Sequence, residues 1–137
     1  MAVPFERSPV EAAGVASPVG HYSHGIIASG RMLFVAGQVP LDESGILIGP
    51  GDAGSQARQV LTNLKRIIEG AGASLADVAR TTIYLTRLED RARVGEVRAE
   101  FFPAPPPANT LLVVASLADP GFLVEIDAIV PLRDSPR

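Results

Sequence analysis

Two carboxylates near the C-terminal end are the first residues whose spacing could do chemistry. Glu125 and Asp127 stand two positions apart in Leu123–Val130, a run that reads as a strand. A strand turns alternate side chains to one face, so both carboxylates share a face about 7 Å apart. Such a pair can divide acid and base duties, because each charge raises the pKa of the other. Burial in a partly dry cleft pushes the same way. It would let Glu125 orient a water and move its proton. The plainer reading of Asp127 is a partner for an arginine at a subunit boundary.

The segment His21-Tyr22-Ser23-His24 holds both histidines of the chain. In a strand, Tyr22 and His24 would share a face. His24 would then enter a cleft beside Tyr22 as acid, base or anion contact, while His21 faces elsewhere. Surface or interface histidines without a role are the alternative. Two histidines and Glu125 have no ligand-spacing motif behind them, so no metal is expected. Gly51-Asp52-Ala53-Gly54 lacks the Gly-Lys-Ser/Thr ending of a phosphate loop, and no cofactor is expected. The absence of cysteine excludes thiolate nucleophiles, disulfides and Cys-ligated zinc.

The 137 residues suit one domain spanning positions 1–137, with 47% hydrophobic and 20% charged residues. A formal net charge of −3 and scattered basic residues give no electrostatic footprint for nucleic acid. Met1–Arg7 lacks the basic start and apolar stretch of a signal peptide, and no apolar window is long enough to cross a bilayer. A cytoplasmic protein without membrane contact is the expectation.

The elements that must position these residues follow from periodicity and punctuation. A short edge strand is expected near Phe5. Strands over Ser23–Ser29 and Met32–Ala36 would form a hairpin with Ser29-Gly30-Arg31 at its tip. Gln38–Gly51 reads as loop. A helix begins near Asp52, its cap, and carries Ala57, Val60, Leu61, Leu64, Ile67, Ile68 and Ala71 on one stripe. Thr81–Leu85 is β-branched and aromatic, hence a strand in which Tyr84 is a core or interface aromatic. A second helix spans Asp90–Phe102, with Val94, Val97 and Phe101 on one face, and Pro103 ends it. Thr110–Ala115 and Leu123–Val130 are the last strands, joined through the turn at Asp119-Pro120-Gly121. The order β-β-β-α-β-α-β-β packs most simply as an α+β fold: a six-stranded mixed sheet with two helices on one face. The other face, apolar on its last strands, would be buried by partner subunits.

Five segments, in order, resemble the Rid (RidA/YjgF) family. They are Gly20-His21-Tyr22-Ser23, Val35–Pro40, Gln56–Leu64, Thr81–Thr86 and Leu123–Ile129. The resemblance implies a chorismate-mutase-like fold and a homotrimer with active sites in the clefts between subunits. It also implies a small-molecule substrate, a reactive enamine or imine hydrolysed to ammonia and a keto acid. Carried over residue by residue, Tyr22 lines the site, Gly37 belongs to the backbone substrate site and Glu125 holds the attacking water. The family's carboxylate-binding arginine is Asn109 here, followed by Thr110. Asparagine has neither the charge nor the fixed donor fork of arginine. The second helix's frequent asparagine is Gly95, and Leu111 stands where many members have a small or thiol residue. Glu125, Tyr22 and His24 are therefore the candidate catalytic residues. Asn109, Gly37, Thr110 and Asp127 are the candidate substrate contacts. A divergent imine or enamine hydrolase is the leading expectation, and a non-catalytic binding or regulatory trimer the alternative. The acidic charge argues against the ribonuclease activity that has been attached to the family by name.

Overall fold

The computed structural model describes residues 3–133. The strands are β1 (Glu6–Pro9), β2 (Ile26–Ser29), β3 (Arg31–Gln38), β4 (Arg80–Leu85), β5 (Ala108–Val113) and β6 (Val124–Leu132). The helices are α1 (Ala53–Gly70), between β3 and β4, and α2 (Arg91–Phe101), between β4 and β5. The element order is the one the periodicity predicts.

The six strands do not form one sheet. β1 and β2 pair antiparallel by themselves, while the main sheet has four strands in the order β3-β6-β4-β5. The expected hairpin between β2 and β3 is absent for a physical reason. Only Gly30 separates the two strands, and a hairpin needs at least two loop residues. Gly30 adopts φ +117°, and a Cβ there would come within 2.9 Å of the Leu132 carbonyl oxygen, so the chain turns a corner that suits glycine. β2 then lies against β1 (Glu6 opposite Ser29), and β3 against β6 (Phe34 opposite Ile129).

α1 starts where Asp52 accepts a hydrogen bond from the Ser55 amide at 3.2 Å. Its stripe of Ala57, Val60, Leu61, Leu64 and Ile68 is fully buried against Val124, Ile126, Ala128 and Val130 of β6. Gln56 is buried in the same helix but polar. Its Nε2 donates to the Gly49 and Gly121 carbonyls (3.1 and 2.9 Å), and its Oε1 accepts from the Leu123 amide at 2.8 Å. One side chain thus ties α1 to the start of β6. Gln56→Leu strands those three backbone groups, and should cost about 2 kcal/mol or more in urea unfolding.

β4, α2 and β5 form a β-α-β unit with β4 and β5 parallel, so α2 runs back along the strands. Burial alternates along β6 and β4. Val124, Ile126, Thr81 and Ile83 face the helices. Glu125, Asp127, Thr82 and Tyr84 face the opposite side. On that side Phe34 is 72% exposed.

Candidate active site

The helix-free face of the main sheet carries the carboxylates. Glu125 pairs across from Tyr84, and Asp127 from Thr82. Asp127 accepts from the Tyr84 hydroxyl at 2.9 Å and from the Thr82 amide at 3.2 Å. It is held as an acceptor and orients Tyr84, whose own pKa is raised chiefly by that hydrogen bond. Glu125 makes no side-chain hydrogen bond among the described residues. Burial, and then the charge of Asp127, raise its carboxyl above the usual range.

Gly37 explains how Glu125 is seated. The β3–β6 register shifts between Val35 and Gln38, leaving Gly37 in an irregular stretch. A Cβ built there would collide with the Glu125 carboxylate and lie 2.7 Å from its Cδ. The missing side chain is the space the carboxylate occupies. Thr110 shares this face, opposite Thr82, and its hydroxyl accepts from the Arg80 guanidinium at 3.0 Å.

Asn109 points the other way. It pairs with Thr81, on the helix side of the sheet, and its Oδ1 accepts from the Thr81 hydroxyl at 2.8 Å. There it lines a cleft of about 990 Å³ between α2, β5 and the 19–22 segment. Leu111, Ile83, Gly95 and Ala99 give it an apolar wall, and Tyr22 lines it as well.

The histidines exchange their expected places. His21 lines the cleft, with its Nε2 2.7 Å from the Phe102 carbonyl. A carbonyl can only accept, so Nε2 carries a proton and Nδ1 is the free nitrogen. His24 is exposed instead. Its Nε2 lies 2.6 Å from the Ala16 carbonyl, and its ring stands edge-on to Tyr22 at 5.8 Å between centroids. The cause is that 21–24 is not a strand. Ser23 alone bridges to Ala108, with its amide donating to the Pro107 carbonyl and its hydroxyl to the Pro106 carbonyl. Strand alternation therefore does not apply.

Arg98 of α2, which no sequence motif singles out, also lines the cleft at only 4% exposure. Its available signal was position. It follows Val94 by four and precedes Phe101 by three, on the apolar face rather than the charged one.

The candidate residues thus fall into two groups on opposite faces of one sheet. Glu125, Gly37 and Asp127 lie on the helix-free face. Tyr22, His21, Asn109 and Arg98 lie in the cleft on the helix side. Among the described residues, no group of three or more His, Asp or Glu could hold a metal ion, and no helix is long and apolar enough to cross a membrane.

A mixed sheet carrying two helices on one face, with a small-molecule-sized cleft along the second of them, defines an α+β fold class. The chain belongs to the Rid (YjgF) family, whose sequence profile, described as Endoribonuclease L-PSP, matches residues 14–132. It is similar to a RutC family protein of Pyrococcus horikoshii, 46% identical over 112 residues (82% of this chain, 87% of the relative). It is also similar to Protein DfrA of Myxococcus xanthus, 41% identical over 112 residues (81% and 85%). Among solved structures, the Rid family protein YyfB of Yersinia pestis superposes with a TM-score of 0.81 at 33% identity, covering 92% of this chain and 98% of that one. Escherichia coli TdcF with bound serine superposes at 0.68 with 30% identity, covering 91% and 98%.

Proposed function

We propose that this protein hydrolyses the C=N bond of a small imine or its enamine tautomer, with Glu125 as the residue that handles water. The observation that carries the reading is the seating of Glu125. Its carboxylate lies over the bare backbone of Gly37, unpaired among the described residues and with a raised pKa. That is what proton transfer near neutral pH needs. The TdcF structure holds serine, which supports an amino-acid-sized ligand.

In this mechanism Glu125 takes one proton from water as the oxygen bonds to the imine carbon. The imine nitrogen receives a proton, giving a carbinolamine. The carbinolamine hydroxyl then gives its proton to Glu125, which passes it to the amino nitrogen, so that the C–N bond breaks, ammonia leaves and the carbonyl product remains. Tyr22 and Asn109 position the substrate. Because the two half-sites lie on opposite faces of one sheet, each working site takes Glu125 and Gly37 from one copy and the cleft from another. A homotrimer meets this requirement and would cover the exposed Phe34 and Leu112.

The test is keto-acid release from 2-imino acids generated in situ by an amino-acid oxidase. Acceleration is expected, and none with any 2-imino acid would leave the non-catalytic binding trimer as the better account. A pH profile adds a second check. Glu125 must be ionised to accept a proton, so kcat/KM should fall as pH drops through its raised pKa. Asp127→Asn removes a neighbouring charge that raises that pKa, so the acid limb should move to lower pH.

A further inference from the structure

We propose that Arg98, on α2, is the anion-holding residue of the cleft and binds the carboxylate of a short aliphatic 2-oxo or 2-imino acid, with the Asn109 amide N–H beside it. The choice of a 2-imino acid as reactant rests on the imine-hydrolase reading above; the anion site itself does not.

Arg98 is 4% exposed, yet its Nε and Nη1 are buried without a hydrogen-bond partner. Among the described residues it forms no ion pair, whereas Arg58, Arg87, Arg93 and Arg133 each meet a carboxylate. A buried, unpaired guanidinium is costly, and the described residues offer no anion to offset that cost. Burial alone lowers its pKa, but an arginine remains charged at neutral pH. Arg98 lines the cleft, and its Nε and Nη1 lie just beneath the surface there, so an anion drawn into the cleft would be met by a fork of unpaired N–H groups once the side chain turns toward it.

The surroundings fit one end of a small ligand. Asn109 accepts from Thr81 through Oδ1, which leaves its Nδ2 as a donor. His21 and Tyr22 line the same cleft. Ile83, Leu111 and Ala99 of the lining offer an apolar wall for a short carbon chain. Gly95 lies in the interior of α2, where glycine costs helix stability, and a Cβ there would meet nothing within 4 Å. The open space beside it is room for that chain. Glu89 and Glu96 belong to the lining too, but both are exposed, and Glu96 is engaged by Arg93 at 3.6 Å. They border the cleft without neutralising Arg98.

The probe is 2-oxobutanoate, a non-hydrolysable carboxylate of the right size, with butanone as its uncharged counterpart. Calorimetry on the intact protein should show 2-oxobutanoate binding and a ligand-dependent rise in Tm. Arg98→Met should weaken that binding about tenfold or more and abolish the Tm rise, leaving butanone unaffected. Gly95→Leu, which keeps Arg98 but fills the space before it, should weaken it too. Without ligand, Arg98→Met should melt at or above the wild-type temperature, since an unpaired buried charge has been removed. Wild-type affinity for 2-oxobutanoate in either variant would overturn the proposal. So would no 2-oxobutanoate binding by the wild type, or a sharply lower unliganded Tm for Arg98→Met, which would make the arginine a structural residue. A protein that binds 2-oxobutanoate through Arg98 but hydrolyses no imine keeps this inference and loses the hydrolase reading.

Discussion

Glu125→Ala is expected to lower keto-acid release from 2-imino acids about a thousandfold, or ~4 kcal/mol of transition-state stabilisation. The effect should fall on kcat, because the carboxylate acts on water rather than gripping the substrate. Glu125→Gln keeps the shape and should lose nearly as much, since an amide cannot take the proton. Little stability depends on the residue: its carboxylate makes no hydrogen bond among the described residues, and it lies on the helix-free side of the sheet, outside the core. Normal activity in Glu125→Ala, with the wild-type Tm, would remove the residue from the mechanism.

Gly37→Ala should be almost as damaging for a different reason. The new methyl group would occupy the place of the Glu125 carboxylate. A glutamate end is flexible and can swing away, so the fold should survive with a Tm close to wild type. The displaced carboxylate would no longer meet the imine carbon, and misplacement by about 1 Å costs roughly a hundredfold in rate. The loss should not add to that of Glu125→Ala. If Gly37 acts only by seating Glu125, the double variant should be no slower than Glu125→Ala alone. A further drop would show that the Gly37 backbone contacts the substrate itself. Stopped-assay rates on the three variants, with thermal melts as the folding control, measure this.

What could be read from the sequence was what local rules decide. The α1 stripe and its Asp52 cap follow from the 3.6-residue period and one side-chain hydrogen bond. The alternation along Leu123–Val130 put Glu125 and Asp127 on a common face, as the burial along β6 shows. What could not be read depended on distant partners. A single glycine at position 30 decides that β2 leaves the main sheet, and propensity alone does not distinguish that corner from a hairpin. His21 and His24 changed places because carbonyls from the proline-rich 103–107 segment, remote in sequence, pin Ser23 and override alternation. Arg98 carries no motif that singles it out in the sequence, although its place between Val94 and Phe101 marks the buried face. The placing of Glu125 and Asn109 on opposite faces comes from the register of β4 with its two neighbours, Thr81 against Asn109 and Tyr84 against Glu125. No single segment encodes that.

The same register makes one claim central: a working site needs two copies of the chain. Subunit complementation tests it most directly. Glu125→Ala keeps an intact cleft, and Gly95→Trp fills the cleft but keeps Glu125. Each should be inactive by itself. When the two are unfolded together, refolded at equal amounts and shown by differential tags to share assemblies, activity should return. A site drawing one half from each of two neighbours is intact in about a quarter of random pairings. Recovery near that level is the predicted result. Mixed assemblies that form and stay inactive would contradict the account, because Glu125 would then have to serve the cleft of its own chain.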